Sequence, residues 1–262
     1  MRFKALAILA IVVSADVARA QETPLDWDIA RDTGRRMVTA AIPVTTGLGL
    51  VVRCSRGSYE ALIMGLPPQE GDTRRLDIAF GEHDLHPETW NVSVDPTIAV
   101  SSLPAPFARQ LRQGGRMQIR VPNATPDGRA MRHVLDLPPS ASAIDETLTA
   151  CDRPLEDPRD ALIEDVGPGG LPAGLTWAEQ PRLRYPIGSP YTRAFVVLSC
   201  LTTREGALEQ CVVEAEHPMG GYFGEAALRG ASRARLQVAG APDQPLPIRR
   251  IIYRTNFQMA RR

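Results

Sequence analysis

Lysine is all but absent from this chain. Lys4 is the only one, so beyond residue 4 every cationic side chain is arginine and lysine chemistry is excluded. Aromatic residues are scarce at 5%, and Trp27, Trp90 and Trp177 lie too far apart to form a stacking row. Charge of either sign is missing in the sum: 30 basic residues balance 30 acidic ones, without the basic surplus of a nucleic-acid binder. Cysteine is limited to four residues with no C-x-x-C, which excludes a thioredoxin-type or zinc-ribbon site. No apolar run after the first twenty residues is long enough to span a bilayer, and no internal repeat or low-complexity tract appears. No catalytic signature stands out either. What is present is an ordinary globular mixture, 44% hydrophobic and 23% charged over 262 residues, enough for one large or two ordinary domains. The 23 prolines and 21 glycines point to many turns, β-rich structure and a linker.

The N-terminus has the three parts of a secretory signal. Arg2 and Lys4 start it, an uncharged stretch runs from Ala5 to Ala15, and Ala18-Arg19-Ala20 supplies a small-x-small end. Cleavage is expected after Ala20, placing the chain in the periplasm with no stable membrane insertion. The leader takes with it three of the 30 basic and one of the 30 acidic residues, leaving a net charge of −2.

Export into an oxidising compartment makes disulfides the expected state of Cys54, Cys151, Cys200 and Cys211, in any of three pairings. If Glu205-Gly206 is a two-residue hairpin turn, opposite residues have numbers summing to 411. Cys200 then faces Cys211, the register of a cross-strand bridge. Cys54 and Cys151 are left to each other, closing a long loop worth ~4–5 kcal/mol in the loop-entropy treatment.

The pattern predicts an α+β chain. Strands are expected over 48–54, 59–64, 75–80, 90–94, 97–100, 116–121 and 130–137, with short helices over 105–112 and 143–150, the second capped by Ser142. These make a disulfide-closed, β-sandwich-like domain over residues 21–154. Residues 155–180 read as a Pro/Gly-rich linker that holds no long regular element, with its acidic run Glu156 to Asp160 solvated. Residues 181–262 read as strand (194–200), strand (208–216), helix (223–236) and strand (250–259).

At these C-terminal residues the sequence resembles the TonB C-terminal domain family. The resemblance rests on Pro181-x-x-x-Tyr185-Pro186, a first hairpin with Gly206 at its turn, the Phe223-Gly224-Glu225-Ala226-Ala227-Leu228 helix start, and a last strand ending near Phe257. It covers roughly Pro181 to Met259 and implies a small β-β-α-β unit. It also implies that the last strand (Ile251, Ile252, Tyr253, Arg254, Thr255, Asn256 and Phe257) is an edge that pairs with an extended partner segment. The bland alternative is an edge merely protected by Arg249, Arg250 and Arg254. A cleavable leader and a folded N-terminal domain differ from an energy transducer, which needs a membrane helix and a long spacer. The N-terminal segment is fainter in its similarity to VasI-like accessory proteins of type VI secretion, carried by Leu50-x-x-x-Cys54-x-x-Gly57 and Trp90-x-Val92-Ser93-x-Asp95.

Other candidates are weak. His83-x-x-His86 sits beside Pro87 in a loop-like segment that cannot fix metal ligands. Ser93, Ser101, Asp95 and His133 are the residue types of a hydrolase triad without a nucleophile elbow. His217 before Pro218 reads as a packed or capping residue. Gly167-Pro-Gly-Gly170 lacks the Lys-Ser/Thr of a P-loop. The expectation is therefore a non-enzymatic, exported adaptor with no cofactor, metal or catalytic residue. Its partner is an envelope protein, either an outer-membrane transporter or a secretion component, captured by strand pairing. Proline at Tyr253 or Thr255 is expected to weaken that capture. The alternatives are a type VI secretion accessory or a cell-wall hydrolase.

Overall fold

The computed structural model describes residues 26–43, 47–162 and 170–259. The expected leader over 1–20 lies outside the described residues, as does the 163–169 part of the linker. The chain is β-rich, with three α-helices and two disulfides among the described residues.

Nine strands form one antiparallel sheet. They are β1 (Asp28–Asp32), β2 (Met37–Pro43), β3 (Gly49–Ser55), β4 (Ser58–Met64), β5 (Thr73–Phe80), β6 (His86–Val92), β7 (Ala99–Val100), β8 (Gly115–Val121) and β9 (Met131–Leu137), in the order β1-β2-β3-β4-β7-β6-β5-β8-β9. In β3, Leu50, Val52 and Cys54 are buried and alternate with half-buried residues, the period of a sheet with one core face. Helices α1 (Pro104–Leu111) and α2 (Ser142–Ala150) cover that face. Proline in the first turn opens α1. Ser142 lies inside the first turn of α2 and its side chain does not cap the helix. Tyr59 and Thr147 exchange a buried hydroxyl hydrogen bond of 2.9 Å, and Cys151, at the helix end, is bonded to Cys54. The pairing left by elimination is therefore the one present.

Strand β4 is buried on both faces from Tyr59 to Ile63. Tyr59, Ala61 and Ile63 join the helix-covered core, whereas Leu62 turns to a second core shared with Val100, Phe195, Val197, Ala215 and Ile252. The sheet that faces the first one thus comes from the C-terminal segment, not from residues 21–154. It contains β11 (Arg193–Thr202), β12 (Leu208–His217) and β14 (Arg250–Gln258), in the order β12-β11-β14. Helix α3 (Phe223–Ala231) packs on the far face through Phe223, Ala226, Ala227 and Ala231 against Val196, Leu198, Tyr253 and Phe257. The molecule is layered helices, sheet, sheet, helix.

The α3 helix ends at Ala231, short of the expected Leu236. Arg235–Val238 instead forms β13, which pairs with β10 (Leu175–Glu179) from the linker. The linker is therefore packed, with Leu171 and Trp177 against the α3 core and Trp177 edge-on to Tyr253 at 5.2 Å between centroids. Of its acidic run, Glu156 is exposed as expected, but Asp157 and Asp160 are not simply solvated. Asp157 is 6% exposed and holds Arg159 and Arg109, while Asp160 accepts from Arg109 at 2.5 and 2.7 Å. A buried arginine on α1 needs such partners.

The β11–β12 hairpin corrects the turn while keeping the cysteine register. Arg204, Glu205 and Gly206 form a three-residue turn closed by Thr203 and Ala207, with Gly206 at φ +81°. Thr202 faces Leu208, a sum of 410, whereas Ser199 faces Val212, a sum of 411. The extra residue is a bulge at Gln210, φ 48°. Cys200 is thereby brought to Cys211, 4.1 Å apart at Cα, and the two are bonded.

Candidate functional site

Two features stand out at the C-terminal sheet: the outer edge of β14 and a cleft where this sheet meets the first. The expected edge residues Ile251 to Phe257 all lie in β14, which has a sheet neighbour on one side, β11. The direction of each backbone group follows from three bonds. Thr202 N–H donates to Arg249 C=O and Met259 N–H to Thr192 C=O, so odd-numbered residues face β11. Arg254 N–H donates outward, to Gly170 C=O at 2.8 Å. Alternation then turns the N–H groups of Ile252, Asn256 and Gln258 to the outer edge. Tyr253 and Thr255, where proline is expected to weaken capture, instead face the internal ladder. Replacing them would break the sheet itself. The guarding arginines fold back on the sheet: Arg250 donates to Ser199 Oγ at 3.0 Å, and Arg254 donates to Asn256 Oδ1 at 3.1 and 2.9 Å. The Arg254 guanidinium also lies 5.7 Å from the Phe195 ring centroid.

The cleft lies on the face of these strands that meets the first sheet. Asn256, Phe195 and His217 are successive cross-strand neighbours in one row. His217 stacks on Phe195 with centroids 5.6 Å apart and reaches across to the first sheet. Its Nδ1 lies 2.5 Å from Glu60 Oε1 on β4, and its Nε2 lies 3.2 Å from Ser93 Oγ, in the bend after β6. Glu60 is 1% exposed and also accepts from Arg53 Nε and Nη2 at 2.8 and 2.5 Å. Burial pushes the Glu60 carboxyl up, but the hydrogen bond from His217 and the Arg53 guanidinium outweigh it and hold Glu60 below the usual value. Beside Ser93 the cleft opens into a space of about 120 Å³, walled by Val94 on one side and by Phe195, Arg254 and Asn256 on the other. An Arg193–Asp72 ion pair bridges the two walls.

The residue types first weighed for a triad do not assemble. Asp95 turns back to accept from Thr97 N and Oγ1, which lowers its pKa. Ser101 Oγ accepts from Leu103 N–H. His133 is buried in β9, its pKa lowered by that burial. His86 begins β6, and no group of three or more His, Cys, Asp or Glu residues is placed for a metal among the described residues. Ser93 is the one member brought to a histidine, and that histidine is His217. Glu60 was missed. Its signal was a charge inside the apolar run Tyr59–Met64, which must find a partner when the strand is buried on both faces. Among the described residues no helix is long and apolar enough to cross a membrane. Comparison with protein-family models, with curated proteins and with solved structures finds no match for this chain.

Proposed function

We propose that the chain is a periplasmic adaptor, exported by a leader cleaved after Ala20, that captures an extended segment of an envelope protein as an added strand on β14. The partner is an outer-membrane transporter or a secretion component, as the TonB-like C-terminal segment suggests. The observation that carries this reading is the edge position of β14, with the backbone N–H groups of Ile252, Asn256 and Gln258 turned outward. Such a row offers main-chain bonds to any extended peptide and leaves selection to the side chains around it. Gly170 C=O occupies the middle position, at Arg254 N–H, so an incoming strand either displaces that bond or pairs beside it.

The test is affinity capture from envelope extract with Asn256→Pro. Proline there removes an outward N–H and leaves the β11 ladder intact, which an edge strand tolerates. The expected outcome is loss of the captured partner with circular dichroism unchanged. Undiminished capture by the folded variant contradicts strand addition.

A further inference from the structure

We propose that Ser93 is an activated nucleophile, oriented by His217 and Glu60, that hydrolyses carboxylic esters carrying a short acyl group. The inference is independent of the strand-pairing reading and concerns the cleft between the sheets rather than the β14 edge.

The three side chains stand in the order a serine nucleophile requires: hydroxyl, imidazole, buried carboxylate. Glu60 is held as a carboxylate by two hydrogen bonds from the Arg53 guanidinium. An ionised carboxylate only accepts, so in the neutral imidazole Nδ1 carries the proton and donates to Glu60. Nε2 is then left bare, and its neighbour is Ser93 Oγ, which donates to it. The order of burial also fits. Glu60 is enclosed, His217 is 13% exposed and Ser93 borders the open cleft, so Glu60 is shielded while the serine and imidazole reach the space.

Arg254 lines the same space as Ser93 and brings a positive charge to the cleft in which an oxyanion would form. The space, about 120 Å³, is below the ~300–1,000 Å³ of pockets for drug-sized ligands and admits a short acyl group. In the reaction Ser93 Oγ bonds to the ester carbonyl carbon and its proton passes to His217 Nε2. The ester C–O bond then breaks, and the leaving alcohol takes that proton. Water next adds to the acyl-serine, giving a proton to Nε2. The acyl–Oγ bond breaks, the carboxylic acid leaves, and Ser93 recovers the proton.

Two measurements on the full chain test this. A fluorophosphonate probe followed by peptide mass spectrometry should modify Ser93 in preference to Ser140, which is also half-buried, and His217→Gln should remove that preference. With p-nitrophenyl acetate, Ser93→Ala should lower turnover by roughly 10²-fold or more. The absence of lysine beyond residue 4 keeps background acylation low. Ser93→Ala removes one oxygen at a half-buried bend, so its fold should survive even if His217→Gln does not. A Ser93 peptide modified no faster than Ser140, or equal turnover by wild type and Ser93→Ala, overturns the proposal. Partner capture by Ser93→Ala should be unchanged, so failure here does not bear on strand pairing.

Discussion

Asp157 shows how one side chain can report on a whole segment. The carboxylate accepts from Arg159 Nε, Nη2 and backbone N–H and faces Arg109. The Arg159 hydrogen bonds, acting against burial, lower its pKa to about 2. A depressed carboxyl pKa stabilises the fold above its unfolded value, and that stability drains away as pH falls through the folded value. The window here is pH 4 to 2, and the contribution is about 1–2 kcal/mol. Urea melts at pH 5, 4 and 3 should show a fall in midpoint that Asp157→Asn flattens. An identical pH slope in the variant would contradict the pairing. Neither Asp157 nor Glu60 could be placed from the sequence. An acidic run between prolines looks solvated, and a lone Glu in a strand does not name its partner, because Arg109 and His217 arrive from 48 and 157 positions away. Local pattern shows that a buried charge needs a partner; only the tertiary fold chooses it.

At the scale of elements, the alternating and apolar runs located most strands and helices within a few residues, and both disulfide pairings are those expected, although the two-residue turn behind Cys200–Cys211 is a three-residue turn followed by a bulge. Strands β1, β2, β10 and β13 were not anticipated, and the reasons differ. Strand β1 reads Asp-Ile-Ala-Arg-Asp, a mostly exposed sheet edge with no apolar alternation to betray it. Strand β13 continues the small-residue spacing of α3, and it becomes a strand through pairing with β10, some 60 residues earlier. The β11–β12 turn supports that pairing directly. Leu236 N–H donates to Gly206 C=O at 2.8 Å, and a Cβ on Gly206 would stand 2.0 Å from Leu236 C=O in a positive-φ conformation. Gly206→Ala should therefore destabilise the protein by roughly 2–3 kcal/mol, read from a denaturant midpoint. A loss below 0.5 kcal/mol would mean that the turn and β13 do not meet.

For the whole molecule, the placement of the second sheet decides what each surface can do. Burying Phe195, Val197 and Ile252 against Leu62 and Val100 covers one face of the C-terminal sheet, and α3 covers the other. The sheet is left with its two edges, β12 and β14, and the same packing brings His217 to Glu60 and Ser93. None of this arrangement could be read from the sequence, since the apolar alternation of β11 does not say which surface it meets. The last strand was legible in its apolar run, although its outward-facing positions were not. The most direct measurement is photocrosslinking in intact cells, with a crosslinking amino acid at Gln258 on β14 or at Glu209 on β12. Capture at β14 predicts a discrete adduct with an envelope protein from Gln258, lost on adding Asn256→Pro, and none from Glu209. Adducts of equal yield from both edges, or no adduct from Gln258, would contradict it.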